Sequence, residues 1–146
     1  MSFDDILGAT NISASGLAAE RVRMEVLAHN IANANSTRGP NGGAFRRQDV
    51  IFAAVLNNQL GLGGPDMAKL GGVQVAGVVD DPSELPRVFN PGHPDADKEG
   101  YVIMPNVQLP IEMVNLITAS RSYEANLRVL QSFRQMSEQA LSLVRG

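Results

Sequence analysis

The run NPGHPDADKEGY at residues 90–101 sets His93, Asp95, Asp97 and Glu99 at alternate positions. An imidazole beside carboxylates is a donor set for a divalent cation, so a metal-dependent enzyme using His93, Asp95 and Asp97 is one reading of the chain. The surroundings argue for a plainer one. Prolines stand on both sides of Gly92-His93, glycine follows at 100, and the spacing is not that of an EF-hand loop. The other histidine, His29, lies far away in an N-terminal helical pattern, and there is no cysteine to complete a zinc set. The segment therefore reads as a turn-rich connection, with no metal assigned.

Other chemical motifs fail in the same way. GLGGPD (61–66) lacks the Gly-Lys-Ser/Thr ending of a phosphate-binding loop, and GPNGG (39–43) follows a helical pattern instead of leading into one. No serine occupies a nucleophile-elbow sequence, and the absence of cysteine removes the thiol nucleophiles. No catalytic, cofactor-binding or metal residue is assigned, and the expectation is a protein that is not an enzyme and takes no small-molecule substrate.

Composition narrows the partners. A length of 146 residues with 44% hydrophobic content suits one modest domain with extensions. The net charge is −3 and no basic cluster exceeds Arg46-Arg47, which argues against nucleic acid. The start MSFDDILGATN is acidic and interrupted by Gly8, unlike a cleaved secretory signal. No stretch approaches the roughly 18 to 20 apolar residues of a membrane span.

The elements follow from where the helix breakers lie. All eight prolines fall between Pro40 and Pro110, leaving two proline-free flanks. From about Phe3 to Ala34, Phe3, Ile6, Leu17, Met24, Leu27 and Ile31 keep a three-and-four spacing, around the small residues Ala14, Ser15, Gly16, Ala18 and Ala19. From about Ile111 to Val144 the spacing is stronger, and Pro110 and Glu112 suit a helix start. The centre carries FRRQDVIFAAVL (45–56), GVQVAGVVDD (72–81) and YVIM (101–104), β-rich runs bounded by Gly, Pro and Asp. Residues 57–71 read as a flexible loop.

The fold expected is therefore mainly α with a small β element: long N- and C-terminal helices paired as a coiled coil, and a central β-rich segment. The divisions are 1–35, 36–110 and 111–146. Asparagine tolerates the backbone that ends a helix, so Asn33 or Asn35 reads as a C-cap of NIANANSTRG (30–39). Asn30 and Asn33 also share a helical face, where their amides could fix register between subunits. A long isolated helix is marginal in water, so both apolar stripes need cover, from each other or from other chains.

Three motifs in order carry a resemblance: NIANANST (30–37), NPGHPDAD followed by GYVIMPNV (90–107), and EMVNLITASRSYEANL (112–127). Together they resemble the flagellar basal-body rod proteins of the proximal-rod type. The longer RGPNGG insertion before Phe45-Arg46-Arg47 departs from the family's shorter turn.

The resemblance implies a structural subunit without cofactor that polymerises with copies of itself and other rod proteins. It implies a torque-transmitting tube spanning the periplasm around an export channel, and export by the flagellar apparatus without a cleaved signal. On that footing, Leu116, Tyr123, Leu127 and Leu130 are assigned to pairing with Leu17, Met24, Leu27 and Ile31, with Met113 also at the assembly surface. Asn30, Asn33, Asn115 and Asn126 are assigned to polar register contacts. The competing reading is a soluble helical adaptor or export chaperone whose stripes bind client helices.

Overall fold

Without proline, and with small residues through its middle, the N-terminal flank keeps its hydrogen-bond ladder unbroken: helix α1 spans Phe3–Ala32. The computed structural model describes residues 3–39, 42–57 and 69–145, with side-chain surroundings for 8–39, 42–55 and 71–143. Helix α2 spans Leu109–Arg145, beginning two residues ahead of the expected start, so that Pro110 and Glu112 both lie in its first turn. At ~1.5 Å per residue, these 30 and 37 residues make rods of about 45 and 55 Å.

Between them lie strands β1 (Gln48–Asn57), β2 (Lys69–Asp80), β3 (Arg87–Phe89) and β4 (Tyr101–Ile103). β1 pairs with β2 and β3 with β4, giving two two-stranded sheets. The β1–β2 pairing is closed at its base by the Asp81 N–H donating to the Arg47 carbonyl at 2.7 Å, as antiparallel strands require. β3 and β4 pair antiparallel, Arg87 opposite Ile103, Val88 opposite Val102 and Phe89 opposite Tyr101. The fold is thus mainly helical with short antiparallel strands. The expected loop 57–71 is corrected at both ends, since Asn57 belongs to β1 and 69–71 to β2; 58–68 lie outside the described residues. β3 was not anticipated, because three residues framed by Pro86 and Asn90-Pro91 are too few to show alternation.

Two compact units emerge. The first holds the described residues of Met1–Val22, Phe52–Ala76 and Ala119–Gly146. Here one side of the slim stretch of α1 is covered from within the chain, while Ala14 and Ala18 stay exposed. Ala19 and Ala119 are buried. A side chain on Gly16 would place its Cβ 3.0 Å from Asn126 Nδ2, so α2 passes close over this position. Next to it, the Val73 N–H donates to Ser15 Oγ at 3.0 Å, and Ser15 in turn donates to the Ile12 carbonyl at 2.7 Å. Gly72 has φ +114°, and a Cβ there would run into Ser15 Oγ; glycine is what lets β2 lie on α1.

The second unit comprises Arg23–Ile51 and Gly77–Thr118. Leu27, Phe45 and Val102 form its buried apolar part. The His29 ring meets the Phe45 ring edge-on, centroids 5.3 Å apart. Gly100, at φ +84°, turns the chain into β4 where a Cβ would stand 2.9 Å from Phe89 Cε2.

Candidate assembly site

In the second unit the last turn of α1, the start of β1 and the first turn of α2 converge on a buried polar knot. Asn30 is fully enclosed, and both its donors and its acceptor oxygen find partners. Its Oδ1 accepts from the Gln48 N–H at 2.9 Å, while Nδ2 donates to the Gln48 carbonyl at 2.8 Å and to Glu112 Oε2 at 3.0 Å. The amide thus copies a strand edge and starts β1. Glu112, 1% exposed, would be costly to enclose as a charge. Arg47 Nε answers it, donating to Oε1 at 2.7 Å.

The Arg47 guanidinium also reaches Asp49 at 3.1 Å and Asp81 at 3.7 Å. Burial by itself would lower the Arg47 pKa, but the hydrogen bonds to Glu112 and Asp49 outweigh it and hold the group above its ordinary value. Asn106 Oδ1 accepts from the Arg47 N–H at 2.8 Å, and its Nδ2 donates to Ser83 Oγ at 2.8 Å. Arg46 donates to the carbonyls of Asp81 and Ser83. Hydrogen bonds from the Ser83 backbone and hydroxyl, then the nearby arginines, keep the Asp81 carboxyl below the usual aspartate range.

The histidine–aspartate run has a structural task. Thr37 Oγ1 donates to Asp95 Oδ2 at 2.7 Å, and the Arg38 guanidinium binds the same carboxylate. These contacts, the Thr37 bond foremost, lower the Asp95 pKa. His93 Nδ1 accepts from the Asp95 N–H at 3.1 Å. Asp97 Oδ1 accepts from the N–H groups of Glu99 and Tyr101 at 2.9 and 2.8 Å. The Asp97 carboxylate is spent on turning the chain from β3 to β4, and that of Asp95 on tying this turn to the segment after α1. Among the described residues, no group of three or more His, Cys, Asp or Glu is placed to hold a metal ion.

Of the residues assigned to assembly, Leu27 and Asn30 are buried; Leu17, Met24, Ile31, Asn33, Asn115, Leu116, Tyr123, Asn126 and Leu130 are half-buried. Met113 and Leu127 are exposed, at 52% and 40%. The structure brings Asn126 to Gly16 in the first unit and Asn30 to Glu112 in the second. Asn33 closes α1: its Nδ2 and its N–H both donate to the His29 carbonyl, at 2.9 and 3.1 Å, and it accepts from Ser36. The sequence reading missed Arg47 and Glu112 as partners, treating one as half of a basic pair and the other as a helix-dipole charge. The only signal was a glutamate in an otherwise apolar helix start.

No helix among the described residues is long and apolar enough to cross a membrane. What the arrangement offers is helix surface. Ile111, Met113, Val114 and Ile117 lie exposed at the head of α2, and Leu141 and Leu143 near its end.

Comparison with known proteins gives the class. The family model described as "Flagella basal body rod protein" matches residues 11–40, and "Flagellar basal body rod FlgEFG protein C-terminal" matches 98–143. The chain belongs to the flagellar basal-body rod protein family, whose members are structural components of the basal body and not enzymes.

The particular relatives share one name. The flagellar basal-body rod protein FlgC of Borreliella burgdorferi is 43% identical, over 97% of this chain and 99% of its own length. FlgC of Salmonella typhimurium is 41% identical over 94% of this chain and 97% of its own. FlgC of Bacillus subtilis is 39% identical over 91% and 94%.

Proposed function

We propose that this chain is a structural subunit of the proximal rod. It polymerises through its terminal helices, with copies of itself and other rod proteins, into the helical tube that transmits torque and surrounds the export channel. The observation carrying the reading is similarity to FlgC over almost the whole of both chains. Apolar surface left exposed at the head of α2 supports it, since such surface on a structural protein calls for a partner.

In this reading the two helices pair as a coiled coil (1–35 with 111–146) and 36–110 forms the outer β-rich element. The close passage of Asn126 at Gly16 and the Asn30–Glu112 bond support the pairing. Leu17, Met24, Ile31, Met113, Asn115, Leu116, Tyr123, Leu127 and Leu130 complete the contacts of the tube. The subunit travels through the flagellar export apparatus and takes its place in the periplasm.

Deletion of the gene and imaging of basal bodies tests this. The expected result is non-motile cells whose basal bodies stop before a complete rod, restored by the intact gene. Motile deletion cells with complete rods would overturn the assignment.

A further inference from the structure

We infer that β3 is an open sheet edge that takes the β3 of a second copy of this chain, antiparallel and about a two-fold axis through Val88. This goes beyond the rod-subunit reading. A two-fold contact closes on itself and builds no tube, so the pair is one of free subunits.

The open edge follows from the register. The Asn90 N–H donates to the Gly100 carbonyl at 2.9 Å, and the Met104 N–H to the Pro86 carbonyl at 2.8 Å. Bonded and unbonded pairs alternate along an antiparallel ladder. Between these two bonds the bonded pair is therefore Val88 with Val102, while Arg87 with Ile103 and Phe89 with Tyr101 are unbonded pairs. The N–H and C=O groups of Arg87 and Phe89 thus point away from β4.

Across the sheet, the outward groups of Tyr101 are taken: its N–H donates to Asp97 Oδ1 and its carbonyl accepts from the Asp97 N–H, both at 2.8 Å. Among the described residues nothing caps β3 in this way, and all its residues are exposed.

The side chains suit the same partner. Arg87 and Phe89 share a face with Tyr101 and Ile103. The Phe89 ring is 63% exposed yet held in place, edge-on to Tyr101 with centroids 5.3 Å apart and close against Gly100. Among the described residues the Arg87 guanidinium has no carboxylate or hydrogen-bond partner.

A second β3 laid antiparallel brings each Arg87 opposite the partner's Phe89. The two residues exchange N–H to carbonyl bonds in both directions, and guanidinium meets aromatic ring on both sides of the axis. In the parallel direction Arg87 would face its own counterpart, like charge against like. Beyond Phe89 the next outward position is Pro91, which has no N–H, so a pairing slid that way loses a bond. Three residues a side cannot bury the ~1,000 Å² of a lasting interface, which makes the pair weak and concentration-dependent.

Val88 faces its own counterpart across the axis in an unbonded pair, about 4.5 Å apart at Cα, within the ~4.4–6.8 Å that a disulfide spans. The chain has no cysteine, so introduced ones report cleanly. Val88→Cys, Arg87→Cys and Phe89→Cys are made singly in the purified full chain, oxidised mildly at high concentration and separated without reductant. The expected result is a linked dimer from Val88→Cys and little from the other two, whose counterparts lie offset along the strand. Equal linkage at all three positions, or none from Val88→Cys, overturns the pairing.

Sedimentation equilibrium gives a readout without cysteine. The unaltered chain should pass from monomer to dimer as concentration rises. Phe89→Pro removes an outward N–H without touching the β3–β4 ladder, and should stay monomeric. A dimer that survives Phe89→Pro, or an unaltered chain that is monomeric throughout, counts against the pairing. So does association past the dimer that is equal in both chains, since other surfaces would then join the free copies. None of these results bears on the rod-subunit reading, which is tested on basal bodies.

Discussion

Replacing Arg47 by alanine tests the polar knot most directly. The Glu112 carboxylate has two side-chain partners, Arg47 Nε at 2.7 Å and Asn30 Nδ2 at 3.0 Å, and is itself only 1% exposed. Arg47→Ala leaves a buried charge with one neutral donor, a change that costs about 3–5 kcal/mol. Against a total stability of about 5–15 kcal/mol, that is a large share. With a urea slope of about 1–3 kcal/mol per molar, the unfolding midpoint of the purified chain, followed by circular dichroism, should fall by more than about 1 M. Joint replacement, Arg47→Met with Glu112→Leu, removes both charges together and should recover most of the loss. A single-variant cost below about 1 kcal/mol, or a double variant no better than the single, would show that the knot does not hold this unit together.

Gly72→Ala forces both a left-handed backbone and a collision with Ser15, and is expected to cost about 1–3 kcal/mol, read as a fall in thermal midpoint; an unchanged midpoint would mean that β2 does not rest on α1 there. Leu127→Asp, at a position 40% exposed, should lower the stability of the free chain by no more than about 1 kcal/mol yet abolish swimming, and normal rods in that variant would remove Leu127 from the assembly surface. Asp95 has its folded pKa lowered below the ordinary 3.8, chiefly by Thr37, so its stabilisation is present above that value and disappears as pH falls through the lowered one. Asp95→Asn should therefore flatten the acid limb of a stability–pH series, and a steeper limb would contradict the sign. Finally, the apolar stripes of the terminal helices lack their full complement of partners before assembly, so dilute free chain should show less helix by circular dichroism than assembled rods; equal helicity would mean that the helices fold alone.

Chain order and local chemistry were legible without coordinates. Proline confined to Pro40–Pro110 allowed only the flanks to be long helices, because a proline inside either one would have removed a ladder bond. Asn33 or Asn35 marked the end of α1 from the sequence, and the structure assigns the closing bonds to Asn33, which captures the His29 carbonyl within one turn. The turn character of 90–101 was equally local, since Asp97 bonds amides only two and four residues ahead.

What depends on residues far apart in the chain was decided only in three dimensions. Asn30 and Glu112 are 82 positions apart, and no spacing rule connects a helix-end amide to a carboxylate that looked like a dipole charge. The same holds for the small residues of α1. Their size announced a close neighbour, but only the tertiary structure names Gly72 and Val73 on one side of it and Asn126 on another. Periodicity shows which face of a helix is apolar; burial, which follows from the placement of every other element, shows how much of that face is left for a second molecule.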